Sequence, residues 1–189
     1  DLLESRGLGD VYKRQAYSSI SHMGYALAGL TTGTNDGIQS TLIYLIIYLI
    51  MNLAFFSCLL MLKRDDIYYE NVQDLSGLSK KHPILAFCFL IVLFSLAGIP
   101  PLAGFFAKFY VFMAVIKEEM FFLAIVGLLT TVIAAFYYLR IIKVIYFDQE
   151  KERFDTNFNF GVKFTLAFST ILIILYFINP NIINQFILN

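Results

Sequence analysis

Apolar residues fall into five long segments separated by short polar stretches. Segments A to E cover about 16–32, 41–62, 83–116, 120–147 and 160–178. A hydrocarbon core of ~30 Å takes ~20 helical residues, so B and E each match one crossing. D is long enough to tilt or to extend past the membrane. C is too long for one straight helix, and "IPPLAGFFAKF" at 99–109 interrupts it. The pattern predicts an all-α, polytopic membrane helix bundle of about five transmembrane helices, one of them discontinuous.

Segment A, "AYSSISHMGYALAGLTT", is the most polar of the five. At helical spacing Ser18, His22, Tyr25 and Gly29 share one face. That face is expensive in lipid and calls for protein or water against it. Segment B carries a milder stripe, Tyr44, Tyr48 and Asn52, spaced by four. Such stripes predict packing into a larger bundle, and interhelical hydrogen bonding accounts for Ser18, Tyr44, Tyr48 and Asn52 without further function.

Composition agrees with a membrane protein: the 189 residues are 59% hydrophobic, above the ~45–50% of soluble domains. Formal net charge is zero, which gives no reason to expect a nucleic acid partner. Cys58 and Cys88 sit inside apolar runs and read as small hydrophobes. The A–B loop has no Lys or Arg, and the C–D loop has Lys117 beside Glu118 and Glu119. The B–C loop carries Lys63, Arg64, Lys80 and Lys81, and the D–E region Arg140, Lys143, Lys151, Arg153 and Lys163. The positive-inside rule puts the B–C and D–E loops in the cytoplasm and the C-terminus outside. Residues 1–15, "DLLESRGLGDVYKRQ", are polar and aperiodic, with no apolar stretch of the signal-peptide kind. They read as a non-native polar tail, leaving 16–189 as the transmembrane domain.

Segment C holds the candidate chemistry. A proline inside a helix removes a hydrogen bond and clashes with the preceding turn, at ~3 kcal/mol. Pro100 and Pro101 together break the helix, flanked by Gly98 and Gly104. A break inside the membrane is tolerated only against protein or a water-filled cavity, and transporters place ion sites at such breaks. Lys108 follows by seven residues, among Phe105, Phe106, Phe109 and Tyr110. Either its stem snorkels toward the interface near Ile116, ~12 Å along the helix, or it sits in a polar cavity beside the break as a proton relay. His22 is a candidate for proton transfer or a helix-end histidine bonded to a carbonyl. His82, in "KKHP", reads as a solvated loop residue, and Arg140 as an interface anchor.

"AYSSISHMGYALAGL", "YLIIYLIMNLAFFS", "SLAGIPPLAGFFAKFYVF" and "FYYLRIIKVIYF" occur in that order. From Ala16 onward the chain resembles the C-terminal part of the antiporter-like N-subunit family of NADH-quinone oxidoreductase, respiratory complex I. The resemblance implies a bacterial inner-membrane subunit that translocates protons while NADH-to-quinone electron transfer proceeds in other subunits. It implies no cofactor in this chain, with quinone, FMN and iron–sulfur clusters in partner subunits, and other membrane-arm subunits as partners. It makes Lys108 the exit-side proton carrier. The family's other central lysines and its glutamate lie upstream of segment A, so the resemblance implies a C-terminal fragment. The alternatives are a cation/proton antiporter or membrane-bound hydrogenase subunit of the same superfamily, and a small membrane scaffold without transport. His22 and the tripeptide Ala107-Lys108-Phe109 favour the first reading over the antiporter.

Overall fold

The structure, a computed structural model, describes residues 10–64, 67–69, 71–149, 154, 159–176 and 178–180. Its helices are α1 (Asp10–Leu30), α2 (Asn35–Leu60), α3 (Leu78–Lys81), α4 (Pro83–Ala97), α5 (Ala103–Lys117), α6 (Phe121–Phe147) and α7 (Phe160–Leu175). Between α2 and α3 lie a two-residue antiparallel ladder, Lys63–Arg64 with Ile67–Tyr68, and a 3₁₀ turn, Val72–Leu75. The bundle is otherwise helical, as the apolar pattern predicts.

Two helix starts differ from expectation. α1 begins at Asp10 rather than near Ala16, and Val11 and Gln15 on its first turns are buried. The boundary drawn after Gln15 therefore falls inside a helix; residues 1–9 lie outside the described residues. α2 begins at Asn35 rather than near Thr41. The cause is local: the Thr34 side chain accepts from the Gly37 N–H at 3.2 Å, an N-cap, and Asp36 occupies the first turn, where the helix dipole favours negative charge. Polar residues that read as a loop are thus the opening turns of α2.

α2 is the central helix, packed against α1, α4, α5 and α7. Ala54, Phe55, Cys58, Phe89, Leu93, Val111 and Ile145 are among its core neighbours and members. α2 and α6 are long and apolar enough to cross a membrane. α4 and α5 have 15 residues each, ~22 Å of helix, so neither half spans ~30 Å alone. The outside is apolar: Phe122 and Ile84 are both 81% exposed, and Ile133 and Phe136 project from α6. This is a surface made for lipid.

The α2–α4 connection is packed, not loose. Leu62, Leu75 and Leu78 are buried in it, and the Gly77 N–H donates to the Val144 carbonyl of α6 at 3.1 Å. His82 corrects the expectation of a solvated residue: it is half-buried and its Nε2 accepts from the Phe154 N–H at 3.1 Å. Arg140 is exposed on α6.

Candidate functional site at the helix break

A helix ends with four carbonyls that have no partner within it. At the end of α4 these belong to Phe94, Ser95, Leu96 and Ala97. Gly98 turns the chain out in the left-handed region, φ +83°, which glycine adopts without a Cβ penalty. Its N–H then reaches the Ser95 carbonyl at 3.0 Å, and the Ile99 N–H reaches Phe94 at 3.0 Å. That is a Schellman ending, and it satisfies two of the four. The Lys108 Nζ donates to the other two, Leu96 at 3.1 Å and Ala97 at 3.2 Å.

Lys108 therefore reaches back across the break, from the second turn of α5 to the end of α4. It is 5% exposed. A helical side chain lies over the turn N-terminal to its own Cα, so its stem runs toward the break and away from Ile116. A Cβ on Gly98 would stand 3.0 Å from the Lys108 Cδ. The stem thus fills the space that glycine leaves. Gly104 lets α5 start against α4: a Cβ there would collide with the Ser95 carbonyl. The Gly104 N–H donates to the Ser95 Oγ at 3.0 Å, and that hydroxyl donates to the Met51 Sδ at 3.0 Å.

On the other side of Lys108 is an aromatic polar layer. The Lys108 Nζ lies 5.2 Å from the centre of the Tyr25 ring, within cation–π range. The Tyr25 hydroxyl sits between Thr130 at 3.1 Å and Thr131 at 3.0 Å on α6. One turn back on α1, His22 is 1% exposed and its Nδ1 is hydrogen-bonded to the Tyr44 hydroxyl at 2.6 Å. Its ring stacks on Tyr48, centroids 4.6 Å apart. His22 is mid-helix, so its partner is a tyrosine hydroxyl rather than a helix-end carbonyl. Ser18, the next turn back, bonds the Tyr138 hydroxyl of α6. Gln15 closes the row, donating to the Asn52 Oδ1 at 2.9 Å. The face shared by Ser18, His22 and Tyr25 thus points inward, and with Gln15 it makes a polar file ~15 Å long.

The structure brings Lys108, His22, Gly98 and Gly104 around one region, with Tyr25 between the lysine and the histidine. No carboxylate pairs with Lys108 among the described residues. Sequence reasoning passed over Gln15, assigned to the tail, and Tyr138, which sits in the apolar run of α6. Thr130 and Thr131, adjacent hydroxyls in that same run, were the readable signal. Among the described residues no group of three or more His, Cys, Asp or Glu is placed to hold a metal ion.

A broken half-helix, a buried amino group at the break and a file of hydroxyls define a polytopic membrane helix bundle with a discontinuous helix and a polar interior. The chain belongs to the family described as NADH:quinone oxidoreductase/Mrp antiporter, transmembrane, which matches residues 9–134. NADH-quinone oxidoreductase subunit N of Pelagibacter ubique is 70% identical over 93% of this chain, and the same subunit of Parvibaculum lavamentivorans 46% over 92%. A chain of respiratory complex I from Thermus thermophilus superposes with a TM-score of 0.73 at 29% identity, over 89% of this chain and 38% of that one. A chain of the Mrp complex from Dietzia shares the fold, TM-score 0.73 at 21% identity, over 88% of this chain and 39% of that one. The chain spans 37% of the length of the Pelagibacter relative and 36% of the Parvibaculum one.

Proposed function

We propose that this chain is part of a proton-translocating membrane-arm subunit of an NADH-quinone oxidoreductase in a bacterial inner membrane. Electron transfer belongs to partner subunits, which hold the FMN, the iron–sulfur clusters and the quinone; this chain contributes a proton path. The observation that carries the reading is the Lys108 amino group, buried in the bundle on two backbone carbonyls and a tyrosine face, with no carboxylate against it among the described residues. Such a group gains or loses a proton without breaking an ion pair. Tyr25 separates it from His22, and the Tyr44 and Tyr138 hydroxyls extend the polar file along α1. Protons pass between these groups by rotation of hydroxyls and through water. The α2–α4 and α6–α7 connections face the cytoplasm in this reading, and the C-terminus faces outward. High identity to subunit N relatives favours a redox-driven pump over an antiporter or a scaffold.

Lys108 also caps α4, so the test must separate a cap from a carrier. Arginine supplies N–H donors for both carbonyls but does not release its proton. In the full-length subunit within the reconstituted complex, Lys108→Arg and Lys108→Met are both expected to lower proton pumping by ~10²-fold, the low end for a positioned proton-transfer group. The Arg variant should assemble at wild-type levels. Pumping that survives in Lys108→Arg and fails only in Lys108→Met would make Lys108 a structural cap.

A further inference from the structure

We propose that Tyr25 is a positioning residue: its ring is the counter-surface of the Lys108 ammonium, and α6 holds that ring by its hydroxyl. Its part in turnover rests on the proton-carrying reading of Lys108; its contact with the ammonium does not. A buried ammonium needs compensation for the water it has lost. Lys108 has three N–H donors, and two of them meet the Leu96 and Ala97 carbonyls. Among the described residues no carboxylate and no third oxygen takes the remaining one. The Nζ instead stands over the Tyr25 ring, 5.2 Å from its centre. Tyr25 is 5% exposed, so the contact is desolvated, the condition under which the negative face of a ring holds a cation most firmly.

The surroundings fix where that face points. Two adjacent threonines of α6 bracket the Tyr25 hydroxyl, Thr130 at 3.1 Å and Thr131 at 3.0 Å. They interrupt a run whose Leu129 and Val132 are exposed on the apolar outside, where a hydroxyl gains nothing from lipid. Both threonines also reach the Gly127 carbonyl of their own helix, at 2.8 Å and 3.0 Å, so removing the Tyr25 hydroxyl strands neither of them. Phe112 and His22 stand nearly perpendicular to the ring, at 84° and 6.0 Å and at 80° and 6.1 Å. Phe112 in turn lies against Gly127, where a Cβ would come within 2.5 Å of its ring. One turn of α6, Gly127 to Thr131, thus seats both Tyr25 and the phenylalanine packed on it.

The test varies the electron density of the ring at constant shape. In the full-length subunit within the reconstituted complex, Tyr25→Phe is followed by 4-fluoro-, 3,5-difluoro- and 3,4,5-trifluorophenylalanine at the same position, each beside Lys108 and beside Lys108→Met. Proton pumping is measured, and so is the temperature at which heat opens the buried Cys58 thiol to alkylation, read by mass on its own peptide. Tyr25→Phe should lower pumping about fivefold, the loss of one hydrogen bond. The fluorine series should lower it about tenfold more, in steps, the size of a desolvated cation–π contact. The Cys58 midpoint should fall in the same steps with Lys108 and stay level with Lys108→Met. Wild-type pumping in Tyr25→Phe overturns the clamp. A midpoint that stays level with Lys108, or falls equally with Lys108→Met, overturns the contact, because the ring then only packs. A midpoint that falls in steps while pumping stays level, with Lys108→Met still impaired, overturns the positioning role and leaves Lys108 as the carrier. If Lys108→Met pumps normally, the proton-carrying reading fails, and the Cys58 midpoints alone decide whether the ring holds the ammonium.

Discussion

Lys108 and Lys117 stand nine residues apart on α5, ~13 Å along the same helix, and their amino groups meet opposite surroundings. Lys117 closes the helix in solvent and pairs with Asp36 at 2.6 Å, both side chains more than half exposed. Lys108, near the other end, is buried on the Leu96 and Ala97 carbonyls and the Tyr25 ring. One lysine has a carboxylate and solvent; the other has two neutral oxygens and one aromatic ring. A residue type therefore says little about a role until the partner is known. An exposed ion pair is screened and weak, whereas an amino group inside the bundle must have donors and acceptors arranged for it in advance.

The comparison breaks first at Lys108. Substituting Met at either lysine in the same preparation should lower pumping ~10²-fold at 108 and leave it unchanged at 117. Equal loss at both positions would show that α5 responds to any change of charge. His22→Phe comes next. It leaves the Tyr44 hydroxyl buried without its partner, a cost of ~1–3 kcal/mol, and is expected to slow pumping less than the Lys108 variants do. His22→Gln should recover thermal stability but not the pumping rate; recovery of both would remove His22 from the proton path. Gly98→Ala follows: a left-handed backbone position costs a non-glycine residue ~1–3 kcal/mol, and the new Cβ meets the Lys108 stem. A lowered Tm of the complex is expected, and an unchanged Tm would show that the stem does not fill that space.

Much of the fold was legible because lipid leaves little freedom. The five apolar segments, the break at 98–104 and the polar stripe on α1 all follow from the cost of bare backbone or hydroxyls in hydrocarbon. What was hidden was partnership. Gln15 looked like part of a tail until Asn52 of α2 was seen to accept its amide. Tyr138 reads as one more aromatic in "FYYLR" and owes its place to Ser18, 120 residues away. The start of α2 was hidden because capping and the helix dipole outweigh polarity over its opening turns. Lys108 lay between. Its position was plain, but its direction stayed open between the interface near Ile116 and the break until its amino group was seen on the Leu96 and Ala97 carbonyls. The two carbonyls it meets became visible once the Schellman ending of α4 had claimed the other two.

The smallest effect is expected at Lys117, and its pH dependence sharpens the contrast. The hydrogen bond to Asp36, and then the charge of that carboxylate, raise the Lys117 amino group above its ordinary value. A raised folded value means the pair stabilises the fold fully below the unfolded lysine value, ~10.4. That contribution is lost as pH rises through the folded value. Both groups are exposed, so salt should also remove it. Lys117→Gln should lower Tm slightly at pH 8 in low salt. The difference from wild type should close in high salt, and close again above the folded lysine value. A difference that persists under both conditions would mean that Lys117 contributes by packing its stem on α5, not by its charge. The contrast between its two lysines would then rest on burial alone.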